Sequence, residues 1–323
     1  PITFNQPIIF TNPVTFTRAT GPGPYNVTFN APVIFEGPVT DLGVDLTFNS
    51  LVIFMSDFTV SGTASATFNG PAVFEGNVGI NNNFVAVFKQ GALFNSSSSG
   101  ASVTFNAPMI KIVSRGPLIM NLTSSTSSIV FNGVSNIYSS SIVSFTANKV
   151  TFNGETEIQS EYPTFIQTTG EQGSVIFNGN SETQINGGLV INSSRATVTF
   201  NGGSSLDVTN GDLLINAGSV TTSSTVFNGN NEIQVGGTIA IQSYSIDFNG
   251  ETDIKASGYA IFYGQQIIFN GNNDNINLGE GIPSNAMNNI EVKYLTPIAL
   301  NPNAPIYVSG WFSVVPNNAS INV

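Results

Sequence analysis

A phenylalanine followed by asparagine, and often then by glycine, recurs along most of this 323-residue chain. Successive anchor phenylalanines lie 17 to 27 residues apart, which is the length of repeat units that stack as solenoids. This repeat constrains the fold more than any other feature of the sequence. The anchors are Phe4, Phe29, Phe48, Phe68, Phe88, Phe105, Phe131, Phe152, Phe177, Phe200, Phe227, Phe248 and Phe269.

Each anchor ends a segment with the alternation of a β-strand. The residue two positions before the anchor is apolar in twelve of the thirteen repeats, and the residue between them is usually Thr, as in Val27-Thr28-Phe29. Period two places the Phe ring inward and the Thr outward. Asn and Gly readily take the left-handed backbone of a sharp corner, so the strand is expected to turn there. The corner asparagines are Asn5, Asn30, Asn49, Asn69, Asn106, Asn132, Asn153, Asn178, Asn201, Asn228, Asn249 and Asn270.

A second apolar position follows the corner, six residues after the anchor, in ten of the thirteen repeats. The same phase in every repeat favours parallel stacking along an axis over antiparallel hairpins. The fold expected is therefore all-β, a right-handed parallel β-helix of about thirteen coils with a Phe core ladder and an Asn corner ladder. A change of cross-section is expected near residue 110, where the second position changes from Phe to Ile or Leu.

The charge content excludes several classes of protein. Only 8% of the residues are charged, the net charge is −11, and the chain has no Cys and no His. An acidic surface repels phosphates, so nucleic acid is not an expected partner. Zinc ligands and the common nucleophile–base pairs are missing, so no cofactor or metal is expected. No stretch approaches the ~20 apolar residues of a membrane span, which argues against an integral membrane protein.

The ends of the chain differ from each other. Residues 1–279 are predicted to form the β-helix, which the segment Pro1 to Phe10 enters without a cap. Residues 280–323 are predicted to form a β-rich C-terminal cap or assembly segment, with Tyr307, Trp311 and Phe312 as the assembly residues. Two roles stay open for this segment, because it could cover its own last coil or dock on the first coil of another copy.

The first functional hypothesis is an extracellular or cell-surface structural protein, a fibre, filament or sheath subunit that stacks head to tail with copies of itself. An adhesin or carbohydrate-binding β-helix is the alternative, with glycans as partners and Tyr244, Tyr259 and Tyr263 as candidate exposed aromatics. Five Asn-x-Ser/Thr sequons are candidate glycosylation sites in a secreted protein. They are Asn26, Asn95, Asn121, Asn192 and Asn318.

A β-helical polysaccharide-active enzyme is the second alternative, and its acids and bases would be carboxylates and Lys. The nearest constellation is Glu155, Glu157, Glu182, Glu232, Glu251 and Asp253, with Lys255. These acids recur with the repeat instead of gathering in one place, which is typical of a solvated outer face. No enzyme activity is therefore predicted, and a calcium site on these acids is disfavoured because the calcium-binding nonapeptide is missing.

The sequence Phe-Asn-Gly-Asn at 177–180, 227–230 and 269–272 resembles the Phe-x-x-Asn repeats of bacterial polymorphic outer-membrane and autotransporter passenger proteins. Gly-Gly followed by an apolar pair at 187–190 and 236–239 is similar to a second motif of those repeats. The resemblance covers about half the chain. The resemblance implies a surface-displayed β-helix, but it does not indicate how the protein would be secreted.

Overall fold

A computed structural model describes most of the chain. The described residues are 1–18, 25–61, 64–81, 84–179, 183–193, 195–202, 205–218, 221–250, 252–258, 260–264, 266–269, 274–278, 289–294, 299–300, 306–309 and 311–316. Every regular element within them is a β-strand. The chain divides into two compact units, Pro1–Gly154 and Glu155–Val323.

Most strands of unit 1 have three to five residues. The strands are β1 Ile2–Phe4, β2 Ile8–Phe10, β3 Val14–Thr17, β4 Asn26–Phe29, β5 Val33–Phe35, β6 Val39–Leu42, β7 Asp45–Phe48, β8 Val52–Phe54, β9 Phe58–Val60, β10 Ala64–Phe68, β11 Ala72–Phe74, β12 Val78–Asn81, β13 Phe84–Phe88, β14 Ala92–Ser96, β15 Ser102–Ser114, β16 Leu118–Leu122, β17 Ser128–Ser139, β18 Val143–Ala147 and β19 Lys149–Phe152. The strands β15 and β17 are longer because each runs across two sides of the coil.

Unit 1 is a parallel β-solenoid with three sides, because consecutive strands return in register once per coil. Side one stacks β1, β4, β7, β10 and β13, followed by the second halves of β15 and β17. Side two stacks β2, β5, β8, β11, β14, β16 and β18. Side three stacks β3, β6, β9 and β12, the first halves of β15 and β17, and β19. All these pairings are parallel, so the predicted fold class is confirmed.

Two columns of stacked rings fill the core at the start of unit 1. On side one, Phe4, Phe29, Phe48, Phe68 and Phe88 stack with centroids 4.7–5.1 Å apart. On side two, Phe10, Phe35, Phe54, Phe74 and Phe94 stack at 4.5–5.1 Å. Rings of the two columns meet edge to face, for example Phe29 and Phe35 at 85°. Both geometries are favourable for aromatic pairs and add about 0.5–1.5 kcal/mol each beyond the buried area.

The expectation that every anchor lies in a single column was wrong. Phe88 is paired with Ser114 on side one, whereas Phe105 is paired with Ile80 on side three. Phe131 and Phe152 then stack on Phe105, 4.9 Å apart at each step. From Phe105 to Phe152 the anchor motif has therefore moved to a different side of the coil. Phe88 and Phe105 share one coil, so the number of coils differs slightly from the thirteen that the anchors predicted.

The strands of unit 2 follow the same plan. They are β20 Thr156–Ser160, β21 Thr164–Thr168, β22 Gly173–Asn178, β23 Thr183–Asn186, β24 Leu189–Asn192, β25 Ala196–Asn201, β26 Ser205–Val208, β27 Leu213–Asn216, β28 Ser224–Asn228, β29 Asn231–Val235, β30 Ile239–Gln242, β31 Ser245–Asn249, β32 Thr252–Ala256, β33 Ala260–Tyr263, β34 Gln266–Phe269, β35 Asp274–Leu278, β36 Asn289–Tyr294, β37 Ala299–Leu300, β38 Ile306–Ser309 and β39 Trp311–Pro316.

Unit 2 is likewise a parallel solenoid, and its anchors keep one column. Phe177, Phe200, Phe227 and Phe248 stack at 4.8–5.0 Å and are at most 3% exposed. Phe269 pairs with Phe248 in the next strand, although its side chain lies outside the described part. Beyond residue 279, β36 pairs in parallel with β33, and β39 pairs with β36. The predicted boundary between 279 and 280 stays a prediction.

Candidate functional site

Corner asparagines form ladders of side-chain hydrogen bonds, as the sequence predicted. Within each ladder, the Nδ2 of an asparagine donates to the Oδ1 of the asparagine one coil earlier, as Asn30 does to Asn5 over 2.7 Å. The ladders are Asn5–Asn30–Asn49–Asn69, Asn81–Asn106–Asn132–Asn153 and Asn178–Asn201–Asn228–Asn249. Asn270 lies outside the described residues. The ladders have a polarity, since every donor points toward the start of the chain.

Asn81 is a ladder member that the sequence reasoning missed. It follows Ile80 instead of a phenylalanine, but Ile80 is in register with Phe105 on side three. The signal that could have identified Asn81 is the pair Ile80-Asn81, an apolar residue followed by Asn, which ends its strand as Phe105-Asn106 does one coil later. The first ladder ends differently, because Lys89 and then Arg115 follow Asn69 at the same corner.

The first coil, formed by β1, β2 and β3, has a free edge among the described strands. Each of these strands is paired on one side, with β4, β5 and β6 respectively. The Phe4 carbonyl accepts from the Asn30 amide over 2.8 Å, and the Val14 amide donates to the Pro38 carbonyl over 2.9 Å. Backbone groups of successive residues in a strand point to opposite sides, so those of Thr3 and Thr15 point away from the second coil.

Core rings are partly exposed at this edge. Phe4, Phe10 and Phe16 are half-buried, whereas Phe29 and Phe35 in the next coil are at most 1% exposed. Phe4 stacks on Phe29 at 4.9 Å with one face, and its other face is directed along the same axis. The edge therefore combines outward backbone groups, exposed ring faces and the Nδ2 of Asn5 at the start of its ladder.

The predicted assembly residues lie at the other end of the chain. Tyr307 is in β38, and Trp311 and Phe312 are in β39. β38 pairs with β35 and β39 with β36, both in parallel. The side chains of these three residues lie outside the described part, so their role in assembly stays a prediction.

The acids singled out in the sequence do not gather in a cleft within the described residues. Glu157 accepts from Gln159, and Glu155 is exposed on a corner. Glu232 and Asp253 each form an ion pair with Lys255 at 3.0 Å. The hydrogen bond from Lys255 lowers the pKa of Glu232, and the hydrogen bond to Glu232 raises the pKa of Lys255. This exposed network adds little stability.

Two of the six carboxylates, Glu182 and Glu251, lie outside the described residues, as does Tyr259. Tyr244 is half-buried, and the side chain of Tyr263 is not described. The described residues contain no group of three or more His, Cys, Asp or Glu able to hold a metal ion. Nor do they contain a helix long and apolar enough to cross a membrane.

Three sequon asparagines, Asn95 in β14, Asn121 in β16 and Asn192 in β24, belong to hydrogen-bonded asparagine pairs. Asn121 donates its Nδ2 to Asn95 over 3.0 Å, and Asn192 accepts from Asn216 over 3.3 Å. The Oδ1 of Asn26 is buried without a hydrogen-bond partner. Asn318 lies outside the described residues. Asn95 and Asn192 are exposed and remain the candidate glycan carriers.

Fold and repeat together define the class: this chain is a parallel β-solenoid repeat protein. No family model, no curated protein and no solved structure matches it. The resemblance to autotransporter-type repeats therefore reaches no further than the kind of fold.

Proposed function

We propose that this protein is a structural subunit that stacks head to tail with copies of itself in an extracellular or cell-surface fibre. The observation that carries the proposal is the one-way stacking of the coils, in which parallel strands, stacked rings and the asparagine ladder repeat from one coil to the next. The outward backbone groups and half-buried rings of the coil formed by β1, β2 and β3 offer the same kind of surface to a parallel coil of another copy. Such a contact joins two different ends of the subunit, so it repeats from copy to copy without closing a ring and produces a filament.

The polarity of the asparagine ladder supports a head-to-tail joint over a head-to-head one. In the first ladder Asn30 donates to Asn5, which leaves the Nδ2 of Asn5 as the donor for the next step. Two first coils facing each other would oppose two such donors. A coil from the other end of a second copy could instead accept from Asn5 and keep the strands parallel.

Surface chemistry supports a structural role outside the cell. The chain is rich in Thr, Ser, Asn and Gln, and only 8% of its residues are charged. Among the described acids, Glu232 and Asp253 are paired with Lys255 and are not free for acid–base chemistry. The exposed sequons at Asn95 and Asn192 fit a secreted chain.

The outward backbone donors of the first coil allow a direct test. Proline at Thr3 and Thr15 removes two N–H groups that point away from the second coil, so the hydrogen bonds within the molecule are kept. We expect the Thr3→Pro/Thr15→Pro variant to form no filaments in electron micrographs while keeping its β-type circular dichroism. Thr3→Val/Thr15→Val is the matched control, because it keeps both N–H groups, and it should polymerise normally. Filaments of normal length from the proline variant would refute the proposal.

A further inference from the structure

Side two of unit 1 has an outer face unlike those of the other sides. Its outward residues are aliphatic in successive coils, namely Ile9, Ile34, Ile53, Val73, Leu93 and Ile119, which stack in register. We call this row the aliphatic face. Side one carries Thr3, Thr28, Thr47 and Thr67 in the same outward phase, and only its later coils carry Val87 and Val113 there. Both residue types suit a strand, so strand propensity does not explain the difference.

The aliphatic face is open to solvent in this structure. Ile9 is 57% exposed and Leu93 is 37% exposed, and the four residues between and beyond them are half-buried. Pro32 and Pro71 extend the apolar surface along one margin, where their carbonyls accept from the second-side strands of neighbouring coils. A contiguous exposed apolar strip is typical of an interaction surface.

Charges at the two corners that bound this face have opposite signs. The corner before each second-side strand carries Lys89 and Arg115, one coil apart. The corner after it carries Glu36 and Glu75. All four side chains are exposed, and none of them forms an ion pair with another described residue. The face is therefore complementary in charge to itself.

We infer that the aliphatic face binds the same face of a second copy, with the two solenoid axes parallel. A two-fold axis along the stack places the leading corner of one copy opposite the trailing corner of the other, at the same level. Lys89 lies in the coil of β13, and Glu75 lies in the coil of β11, one step of about 4.8 Å earlier. A lysine side chain spans that step, so symmetry gives two Lys89–Glu75 pairs that flank the aliphatic rows.

An antiparallel arrangement of the two copies is less favourable. A two-fold axis along the strands would bring leading corner against leading corner, so that bases face bases or neutral asparagines. The packing of two β-sheets about 10 Å apart, with interdigitated aliphatic rows, is the ordinary geometry of a β-sandwich. The parallel pair satisfies both this packing and the charges.

The size of the face predicts the strength of the contact. Six strands at about 4.8 Å and about five residues at about 3.3 Å give roughly 450 Å² from each copy. A total near 900 Å² lies at the low end for specific contacts, so isolated subunits should pair weakly. Subunits stacked in a filament would repeat the contact along its length, and pairing of filaments would then be strong. The inference itself does not require the filament.

The test measures the monomer–dimer equilibrium by sedimentation velocity in the Thr3→Pro/Thr15→Pro background, where end-to-end stacking is blocked. Dimers at high protein concentration are expected. Ile53→Asp should weaken them about ten-fold or more, because it places a charge in the apolar contact. Thr47→Asp is the matched control, since it adds the same charge to the same coil on side one, and it should change nothing. A chain that stays monomeric at all concentrations, or dimers insensitive to Ile53→Asp, would overturn the inference.

Charge exchange tests the orientation. Lys89→Glu and Glu75→Lys should each weaken the dimer, and the double variant Lys89→Glu/Glu75→Lys should restore it. Failure of the double variant to restore pairing would overturn the parallel arrangement. In the unmodified chain, a carbodiimide should link Lys89 to Glu75 between isotopically light and heavy copies, and this readout does not depend on the proline variant. A failed filament test with an intact dimer would reject the proposed fibre alone.

Discussion

At the scale of single residues, Asp41 is the charged side chain that the described core encloses. It is 0% exposed and replaces a core apolar residue between Phe16 and Val60 on side three. Its Oδ1 accepts from the amides of Gly43 and Val44 at 3.1 and 2.9 Å, while its Oδ2 is buried without a partner. Burial raises the pKa of this carboxyl above its ordinary value, an effect that the two amide bonds only partly offset.

The raised pKa of Asp41 predicts that this carboxyl favours the folded state more in acid than at neutral pH. The folded state prefers the protonated form, so the stabilisation is complete below the ordinary carboxyl pKa of 3.8 and is lost as pH rises through the raised folded pKa. Asp41→Asn should remove this dependence, so that urea midpoints of the variant and the natural chain converge in acid and diverge toward neutral pH. The exposed Glu155→Gln is the control, because Glu155 lies on a corner away from the proposed contacts. Parallel profiles for Asp41→Asn and the natural chain would contradict the prediction.

At the scale of elements, the stacking partners of each ring decide how much it contributes. Phe131 is 0% exposed and stacks between Phe105 and Phe152, both at 4.9 Å, while Phe145 meets it edge-on at 5.8 Å. Phe4 stacks on a single ring, Phe29, and is half-buried. Each strand contacts mainly the coils directly above and below it, so the effect of a substitution is expected to be local at first.

Phe131→Ala should lower the free energy of unfolding by about 3–5 kcal/mol, because it leaves a cavity in a closed column. Phe4→Ala should cost clearly less, since water can reach the space that it leaves. Urea denaturation followed by circular dichroism would measure both. Equal losses for the two variants would show that the first coil is covered in solution.

The sequence predicted the strands and the ladders because each depends on a few adjacent residues. An apolar residue two positions before Phe, with Asn after it, is enough to define an inward ring and a corner, as at Val27 to Asn30. It did not predict the move of the motif from side one to side three. An apolar residue two positions before Phe occurs on both sides, so the sequence shows the change of side only through Lys89 after Phe88 and the short 17-residue spacing between Phe88 and Phe105. Nor did the sequence predict the burial of Asp41, because a carboxylate interrupts the apolar alternation that indicates a core position.

At the scale of the whole molecule, the balance of charge opposes self-association. Each copy carries a net charge of −11, so copies repel one another at a distance and the repulsion is screened by salt. The proposed contacts would therefore depend on short-range interactions, namely the backbone hydrogen bonds and rings at the first coil and the apolar row on side two. Head-to-tail stacking, which involves no ion pair in the proposed joint, should accordingly be more favourable at higher ionic strength, as light scattering would measure.

Truncation of the C-terminal segment separates a specific docking element from a bare strand edge. Deleting residues 301–323 removes β38 and β39, and with them Tyr307, Trp311 and Phe312. The coils before Leu278 should keep their fold, because their strands are paired with one another independently of the deleted ones. If Tyr307, Trp311 and Phe312 dock on the first coil of the next copy, filaments should disappear while the β-type circular dichroism is largely retained.

A joint made by backbone pairing alone would behave differently. Deletion would expose β35 and β36, which offer the same kind of parallel edge, and filaments would still form. The full-length variant Trp311→Ser/Phe312→Ser is the control, because it keeps the backbone of β39 and removes two of the rings. Electron microscopy should show no filaments for the deletion and few for this variant. Filaments of normal length from the truncated chain would contradict the docking role of residues 301–323 and leave the strand edge as the joint.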